Sequence, residues 1–401
     1  MPRTLETTPG GVAVGAGCAA ALPDLIATES ARLAAAAVEE IGHWWRRLAR
    51  SPFPPLQAAS DLARWAHATT DRRPPRWHSS NAVIADGPLT ALRDFSDGSE
   101  AAVVPTLVLP PQAGHHSSIV DFSPRQSQMQ AIRAAGLERA YALEWKGATG
   151  ATRQAGPEDF LAAVDDAVRR IGAPVNLVGD CQGGWLATIY AALEPASVHT
   201  LTVAGAPIDF HAGRGAAIPA YVDGLSAGGR DLSFYRALVA SGGGVLRGES
   251  QLLGFIALRP EAEVRKQLAL LSRLDDHGHV ERYRAFEDWF KWTQPLPGAF
   301  YLWIVEHLFR DNELVRGDLR IGGRRVGLER IRCPLYLLAG AEDHITPPPQ
   351  VFALADRVGT PEAHVVRATA DAGHLGLFMG STALRAEWPA LMTDVARRSR
   401  R

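Results

Sequence analysis

Cys181 stands in the run VNLVGDCQGGW (175–185), with Gly179 and Gly183 two positions away on either side. Strand-like apolar residues precede it and a helix-like stretch opens near Trp185, so the thiol is expected on a sharp strand-to-helix turn that exposes a nucleophile. The small glycines let neighbouring backbone approach, and the positive helix end favours negative charge at the turn. A thiol nucleophile needs a base to take its proton and an acid to orient that base. Asp343 in AEDHITPP follows the apolar run CPLYLLAG, and His374 in DAGHLG follows AHVVRAT. Nucleophile, acid and histidine thus come in the chain order of a thiol triad whose members sit at strand ends. The oxyanion hole is expected from the backbone N–H of Gln182 and one from LPPQAGHH, at Gln112 or Ala113. Taken singly, Cys181 reads as a buried small apolar residue, Asp343 as a turn former and His374 as a hydrogen-bonded loop histidine; order and placement favour the triad. His115, His116 and His344 are read as accessory or structural, and no metal site is expected.

The elements that must position these residues alternate. PTLVLPP (105–111), AYALEW (140–145), VNLVGD, HTLTVAG, CPLYLLAG and AHVVRAT read as core strands. GPEDFLAAVDDAVRRIG (156–172) reads as a helix with Pro157 in its first turn and Phe160, Leu161, Val164, Val168 and Ile171 on one face. Such alternation implies a mainly parallel sheet covered on both faces, an α/β architecture, and with the triad order an α/β-hydrolase fold. Well over 100 residues separate the strand ending near Gly205 from the one beginning at Cys333, far more than the roughly 2–6 of an ordinary connection. This interval, placed at 208–325, is expected to be a helical cap inserted over the carboxyl edge of the sheet, where such folds bind ligands. Its aromatics Trp289, Phe290, Trp292 and Trp303 either line an acyl path or form cap core. The expected division is a leader and helical region over 1–75, hydrolase core over 76–207 and 326–401, and the cap between. Helical spacing from residue 24 to about 70 is interrupted at Pro52-Phe53-Pro54-Pro55, and Trp44-Trp45-Arg46-Arg47 is expected to pack on the main domain.

Charge and cysteine content exclude several classes. Lys+Arg 42 against Asp+Glu 43 gives a net charge of -1, which argues against a general nucleic-acid binder. Three cysteines, Cys18, Cys181 and Cys333, are too few and too scattered for a disulfide framework or a metal knuckle, so a reducing cytoplasm is expected. No apolar run approaches the roughly 18 residues of a membrane span. GVAVGAGCAAALP is read as a flexible leader rather than a secretion signal.

Beyond the triad, whole blocks of the sequence resemble polyhydroxyalkanoate synthases, the shorter class III catalytic subunits in particular. GDCQGGW, LAGAEDHITPP and AGHLGLFMG resemble their catalytic blocks. SSIVDFSPRQSQMQAI, ALEWKGAT and the run from FEDWFKWTQPLPGAF to CPLYLLAG resemble the segments between, in the right order over roughly residues 100 to 395. Asp180 stands where the synthases carry an apolar residue, and the loop after the first core strand lacks their aromatic. The resemblance implies an enzyme that loads (R)-3-hydroxyacyl groups from coenzyme A onto a cysteine and extends a polyester, releasing CoA. It implies Cys181 as nucleophile, His374 as general base, and Asp343 as its acidic partner or as activator of the attacking hydroxyl. It also implies the cytoplasm and the polyester granule surface as location, a second synthase subunit or a homodimer as assembly, and no cofactor apart from the CoA carried by the substrate.

A thiol suits that chemistry. Transfer from a CoA thioester to cysteine is nearly isoenergetic and keeps the acyl group activated, whereas serine would trap it as a lower-energy oxygen ester. The same three residues could instead serve a cysteine hydrolase: an intracellular polyhydroxyalkanoate depolymerase, an acyl-CoA thioesterase or a dienelactone-type hydrolase. A granule-associated protein without turnover is the third reading. Arg324 and Arg325 in GGRRV read first as an exposed β-turn and second as partners for CoA phosphates.

Overall fold

Runs of four to seven residues, mostly apolar, supply six contiguous strands of an eight-stranded sheet. The structure, a computed structural model, describes residues 34–98, 102–213 and 231–400, apart from positions 36 and 259. The strands are β1 (Ala82–Asp86), β2 (Thr90–Asp94), β3 (Thr106–Leu109), β4 (Ala140–Trp145), β5 (Val175–Asp180), β6 (Val198–Ala204), β7 (Leu335–Gly340) and β8 (Val365–Ala370). Their order across the sheet is β1-β2-β4-β3-β5-β6-β7-β8. β1 and β2 pair antiparallel, as do β2 and β4, and every other neighbouring pair is parallel. This is the mainly parallel, doubly covered sheet of an α/β-hydrolase. β5 and β7 are buried along their whole length, as strands of a sheet covered on both faces are; β7 reads as an unbroken apolar run, while β5 also buries Asn176 and Asp180. β1 lies at the edge with four of its five residues exposed, so neither it nor its hairpin partner stands out by hydrophobicity.

The helix Pro157–Ile171 follows its sequence signals. Pro157 sits in the first turn, Glu158 and Asp159 complement the positive end, and Arg169 and Arg170 complement the negative end. Phe160, Leu161, Val164, Val168 and Ile171 are all buried. The helix Gln182–Leu193 is buried on all sides, from Gly183 through Leu193, as befits the helix that carries a nucleophile turn into the middle of a domain. Phe300, Ile304, Leu308 and Ile321 belong to the same apolar cluster as Phe160 and Trp185. Part of the long interval between β6 and β7 is therefore main core.

The chain forms two compact units: Arg73–Gly254 with Asp288–Arg401, which holds the sheet, and Met1–Arg72 with Phe255–Glu287. In the second unit, residues 37–48 are helical, a break follows, and the next helix is Pro54–Thr70. The helix Pro260–Ser272 and residues 277–287 of the helix His277–Phe290 supply the rest of its framework. Ala68, Leu270, Leu274 and Tyr283 make its small core. The fully buried Asp61 carboxylate accepts hydrogen bonds from Trp44 Nε1 at 3.0 Å and Gln57 Nε2 at 2.9 Å and pairs with Arg47. Trp44 and Arg47 are thus fixed to a buried charge within this unit. The leader expected before residue 24 and Cys18 lie outside the described residues. Among the described residues, no helix is long and apolar enough to cross a membrane.

Candidate active site

Cys181 occupies the turn between β5 and the helix Gln182–Leu193 with φ 50° and ψ -118°. A positive φ at a non-glycine residue is strained, and the surrounding packing must hold it. The Cys181 N–H donates to the Ala204 carbonyl at 2.9 Å, tying the turn to the end of β6. Its carbonyl accepts from Gly184 N–H at 2.9 Å and begins the helix. Crowding explains the glycines: a Cβ at Gly179 would lie 2.6 Å from the Gly183 carbonyl oxygen, and one at Gly183 would lie 2.6 Å from that of Pro110. The turn therefore packs directly against the start of the loop after β3.

Asp343 and His374 meet in the turns after β7 and β8. One carboxylate oxygen of Asp343, Oδ1, accepts the N–H groups of Ile345 at 2.9 Å and Thr346 at 2.8 Å. The other, Oδ2, lies 2.7 Å from His374 Nδ1. The Cys181 side chain lies near enough to the imidazole for its charge to act on the ring. Because Nδ1 is engaged by Asp343 and by Thr346 Oγ1, the nitrogen left for the sulfur is Nε2. Burial alone would keep this ring neutral. The Cys181 and Asp343 charges, with the Asp343 hydrogen bond, reverse that effect and push its pKa up to about 10. Burial likewise opposes the Asp343 carboxylate, yet the His374 charge and hydrogen bond, with the two backbone N–H groups, hold it below the usual carboxylate range. The arrangement is built to keep a proton on His374.

Gln112 and Ala113 are buried in the loop after β3, and Gln182 opens the first turn of the nucleophile helix. The loop is pinned at several points. Trp145 Nε1 donates to Pro110 O at 2.8 Å, and Gln294 N–H donates to Gly114 O at 2.7 Å. His115 Nδ1 lies 3.1 Å from Ala113 O, and the ring stacks on Trp289 and Phe290 with centroids 4.9 and 5.4 Å away. Burial lowers the His115 pKa to about 4, so it serves the loop as a neutral ring. Trp289 Nε1 also donates to His116 O at 2.8 Å. Trp289 and Phe290 therefore brace this loop. Trp303 stacks parallel to Phe300 and tilts against Trp185 in the core, while Trp292 is exposed. His116 is held by Ser118 and Glu144. Arg324 pairs with Glu194 and Arg325 with Glu329 on the hairpin around Gly322 and Gly323.

Two polar residues add to what the motifs mark. Thr346, 1% exposed, brings its hydroxyl to 2.9 Å from both His374 Nδ1 and the Gly205 carbonyl. In the sequence it is only a threonine before prolines. Asp180 is fully buried and turns to Gln128, whose Nε2 donates to Oδ1 at 3.2 Å. Its burial raises the Asp180 carboxyl well above the usual range, against opposing effects of the Gln128 hydrogen bond and the His374 charge.

A family model described as "Protein of unknown function (DUF3141)" matches residues 93–397. The chain is 26% identical over 288 residues to the poly(3-hydroxyalkanoate) polymerase subunit PhaC of Haloferax mediterranei, covering 70% of this chain and 56% of that protein. It is 25% identical over 319 residues to the subunit of the same name from Allochromatium vinosum, covering 77% and 86%. The chain thus spans little more than half of the first relative and most of the second. A solved hydrolase from Pseudomonas aeruginosa PA01 aligns at 19% identity with a TM-score of 0.45, over 80% of this chain and 97% of that one. On the family match the chain belongs to the DUF3141 family, and its sheet has the α/β-hydrolase order; the polymerase subunits are what it is similar to.

Proposed function

We propose that the protein is a cysteine acyltransferase that polymerises (R)-3-hydroxyacyl-CoA into polyhydroxyalkanoate. The observation that carries this reading is the 2.7 Å contact of Asp343 Oδ2 with Nδ1 of the buried His374, a ring on which the charge of Cys181 acts, in a chain whose relatives are named as polymerases of this polyester.

His374 Nε2 already holds the proton given up by Cys181, so the thiolate attacks the thioester carbonyl, and the oxyanion rests on backbone N–H groups of Gln182 and of Gln112 or Ala113. Collapse expels the CoA sulfur, which leaves as the free thiol with the proton from His374, and the acyl group stays on Cys181 as a thioester. The hydroxyl of a second hydroxyacyl unit then attacks that thioester and gives up its proton to His374. An oxygen ester forms, and the Cys181 thiolate is regenerated. The acceptor step runs downhill from thioester to ester, which is the reason for sulfur at 181. No cofactor takes part, and CoA enters only with the substrate. The cytoplasm and the polyester surface are the proposed location, with a second synthase subunit or another copy of this chain as partner.

Purified protein given 3-hydroxybutyryl-CoA is expected to release CoA together with insoluble polymer, and Cys181→Ala to do neither. CoA release with free acid alone would overturn the synthase reading and leave a cysteine hydrolase. Unchanged cellular polymer content after Cys181→Ala would point to a granule-associated protein without turnover.

A further inference from the structure

The geometry points to Thr346 as a second positioning residue for His374, one that fixes the imidazole tautomer alongside Asp343. It deepens the acyl-transfer reading and rests on it only for its kinetic consequence.

The argument is a count of protons. A threonine hydroxyl has one proton to give and lone pairs to accept with. Thr346 Oγ1 lies 2.9 Å from the Gly205 carbonyl and 2.9 Å from His374 Nδ1. A carbonyl oxygen can only accept, so the hydroxyl proton goes to Gly205. Toward the ring, Thr346 must then accept, which requires a hydrogen on Nδ1. Asp343 Oδ2 at 2.7 Å asks for the same hydrogen. Two acceptors therefore share the Nδ1–H, and in the neutral ring Nε2 is left as the basic nitrogen facing the thiol.

Both acceptors are built in. Thr346 donates its own backbone N–H to Asp343 Oδ1 at 2.8 Å, so the acid and the hydroxyl belong to one turn after β7. Gly205 lies just past β6 at φ 53°, its N–H bonded to Leu338 O of β7 at 2.8 Å. A Cβ there would lie 2.9 Å from Leu377 and 3.0 Å from Phe378, so the position is restricted to glycine, and its carbonyl is a fixed target. Thr346 is 1% exposed, so water does not compete for the hydroxyl. The hydroxyl thus joins the ends of β6, β7 and β8 to one ring nitrogen.

Full-length protein with ¹⁵N-labelled histidine tests this directly. In a Cys181→Ala background, titrated until the ring is neutral, the ¹⁵N shifts of His374 report which nitrogen carries hydrogen. With Asp343→Ala the Nδ1–H tautomer is expected to remain dominant; with Asp343→Ala and Thr346→Val together the preference is expected to vanish. Equal tautomer populations in those two variants would overturn the proposal. In turnover with Cys181 present, Thr346→Val is expected to lower kcat about 10-fold with KM unchanged, and Thr346→Ser to recover most of the loss. A Thr346→Val enzyme with unaltered kcat, or a serine variant as slow as the valine one, would also count against it. A wild-type protein that fails the CoA assay but shows the tautomer behaviour would retain the positioning role and lose the acyl-transfer reading.

Discussion

The two ends of β5 bury polar side chains and treat them in opposite ways. At the amino end, Asn176 Nδ2 donates to Ser399 Oγ at 2.9 Å and to Val104 O at 3.2 Å, while Oδ1 accepts from Thr200 Oγ1 at 2.9 Å. Asn176, Thr200 and Ser399 are all fully buried and mutually satisfied. At the carboxyl end, Asp180 Oδ2 and, beside the nucleophile, Gln182 Oε1 are buried without a hydrogen-bond partner among the described residues, as is Gln112 Nε2 in the neighbouring loop. Buried polar groups are ordinarily paired because an unpaired one costs about 1–3 kcal/mol. One end of the strand is arranged to hold the fold; the other carries unpaired groups and a strained backbone around the thiol. The same contrast separates the two described cysteines. Cys333 lies just before the amino end of β7, where burial pushes its thiol up to about 12, while Cys181 lies past the carboxyl end of β5, half-buried and against an imidazole.

The sharpest way to break this comparison is to exchange the roles of the thiols. Cys181→Ala is expected to lower CoA release by about 10³-fold or more, the scale on which nucleophile deletions act, and Cys333→Ala to leave it within about twofold. Comparable losses from both would mean that activity tracks the integrity of the sheet rather than the sulfur at the turn. At the amino end the expected effect is on stability: Asn176→Ala removes a centre that Thr200 and Ser399 both use, and urea unfolding is expected to show a loss of about 3 kcal/mol. An Asn176→Ala enzyme that folds as stably as wild type would show that the network is ornamental.

How far the sequence reveals this division depends on which signal each residue carries. β3 to β7 are legible because burial on both faces makes their runs mostly apolar, β8 at the edge from its leading valines, and Pro157–Ile171 because its apolar spacing and terminal charges agree. Cys181, Asp343 and His374 are legible as positions, since each follows an apolar run and their order fits a known triad topology; their proton chemistry is proposed from the geometry. Thr346 carries no such signal, because its meaning depends on Gly205, 141 residues away in the chain. Nor does local pattern reveal that Phe255–Glu287 groups with residues before Arg73, or that Phe300 and Ile304 join Phe160 and Trp185 in one core. Those groupings arise from contacts between distant segments, to which periodicity is blind.

A smaller effect separates the carboxyl end by pH. The His374 pKa is raised from 6.5 to about 10. A group raised in the folded state stabilises fully below its unfolded value, and that contribution is lost as pH rises through the folded one. The wild type is therefore expected to lose stability relative to His374→Gln between pH 6 and pH 10, read as the difference between their urea midpoints. A constant difference across that range would mean that the imidazole is not held as a cation by its neighbours.

The smallest effect tests whether the unpaired groups carry a cost. Asp180 is a buried acid whose pKa is raised well above 3.8, so its proton binds more tightly in the folded state. Its contribution is then favourable at pH below the unfolded value and is lost as pH climbs toward the folded one. Asn at this position keeps the shape, keeps an acceptor for Gln128 Nε2, and turns the unpaired Oδ2 into a donor. Gln128 Oε1, itself buried without a partner, offers an acceptor on the neighbouring side chain. Asp180→Asn is accordingly expected to gain about 1 kcal/mol at pH 7 and less at pH 4, where the wild-type carboxyl is protonated in the folded protein. If the variant is instead less stable at pH 7, the carboxylate is charged and usefully paired, and the carboxyl end of β5 is no more costly than the amino end.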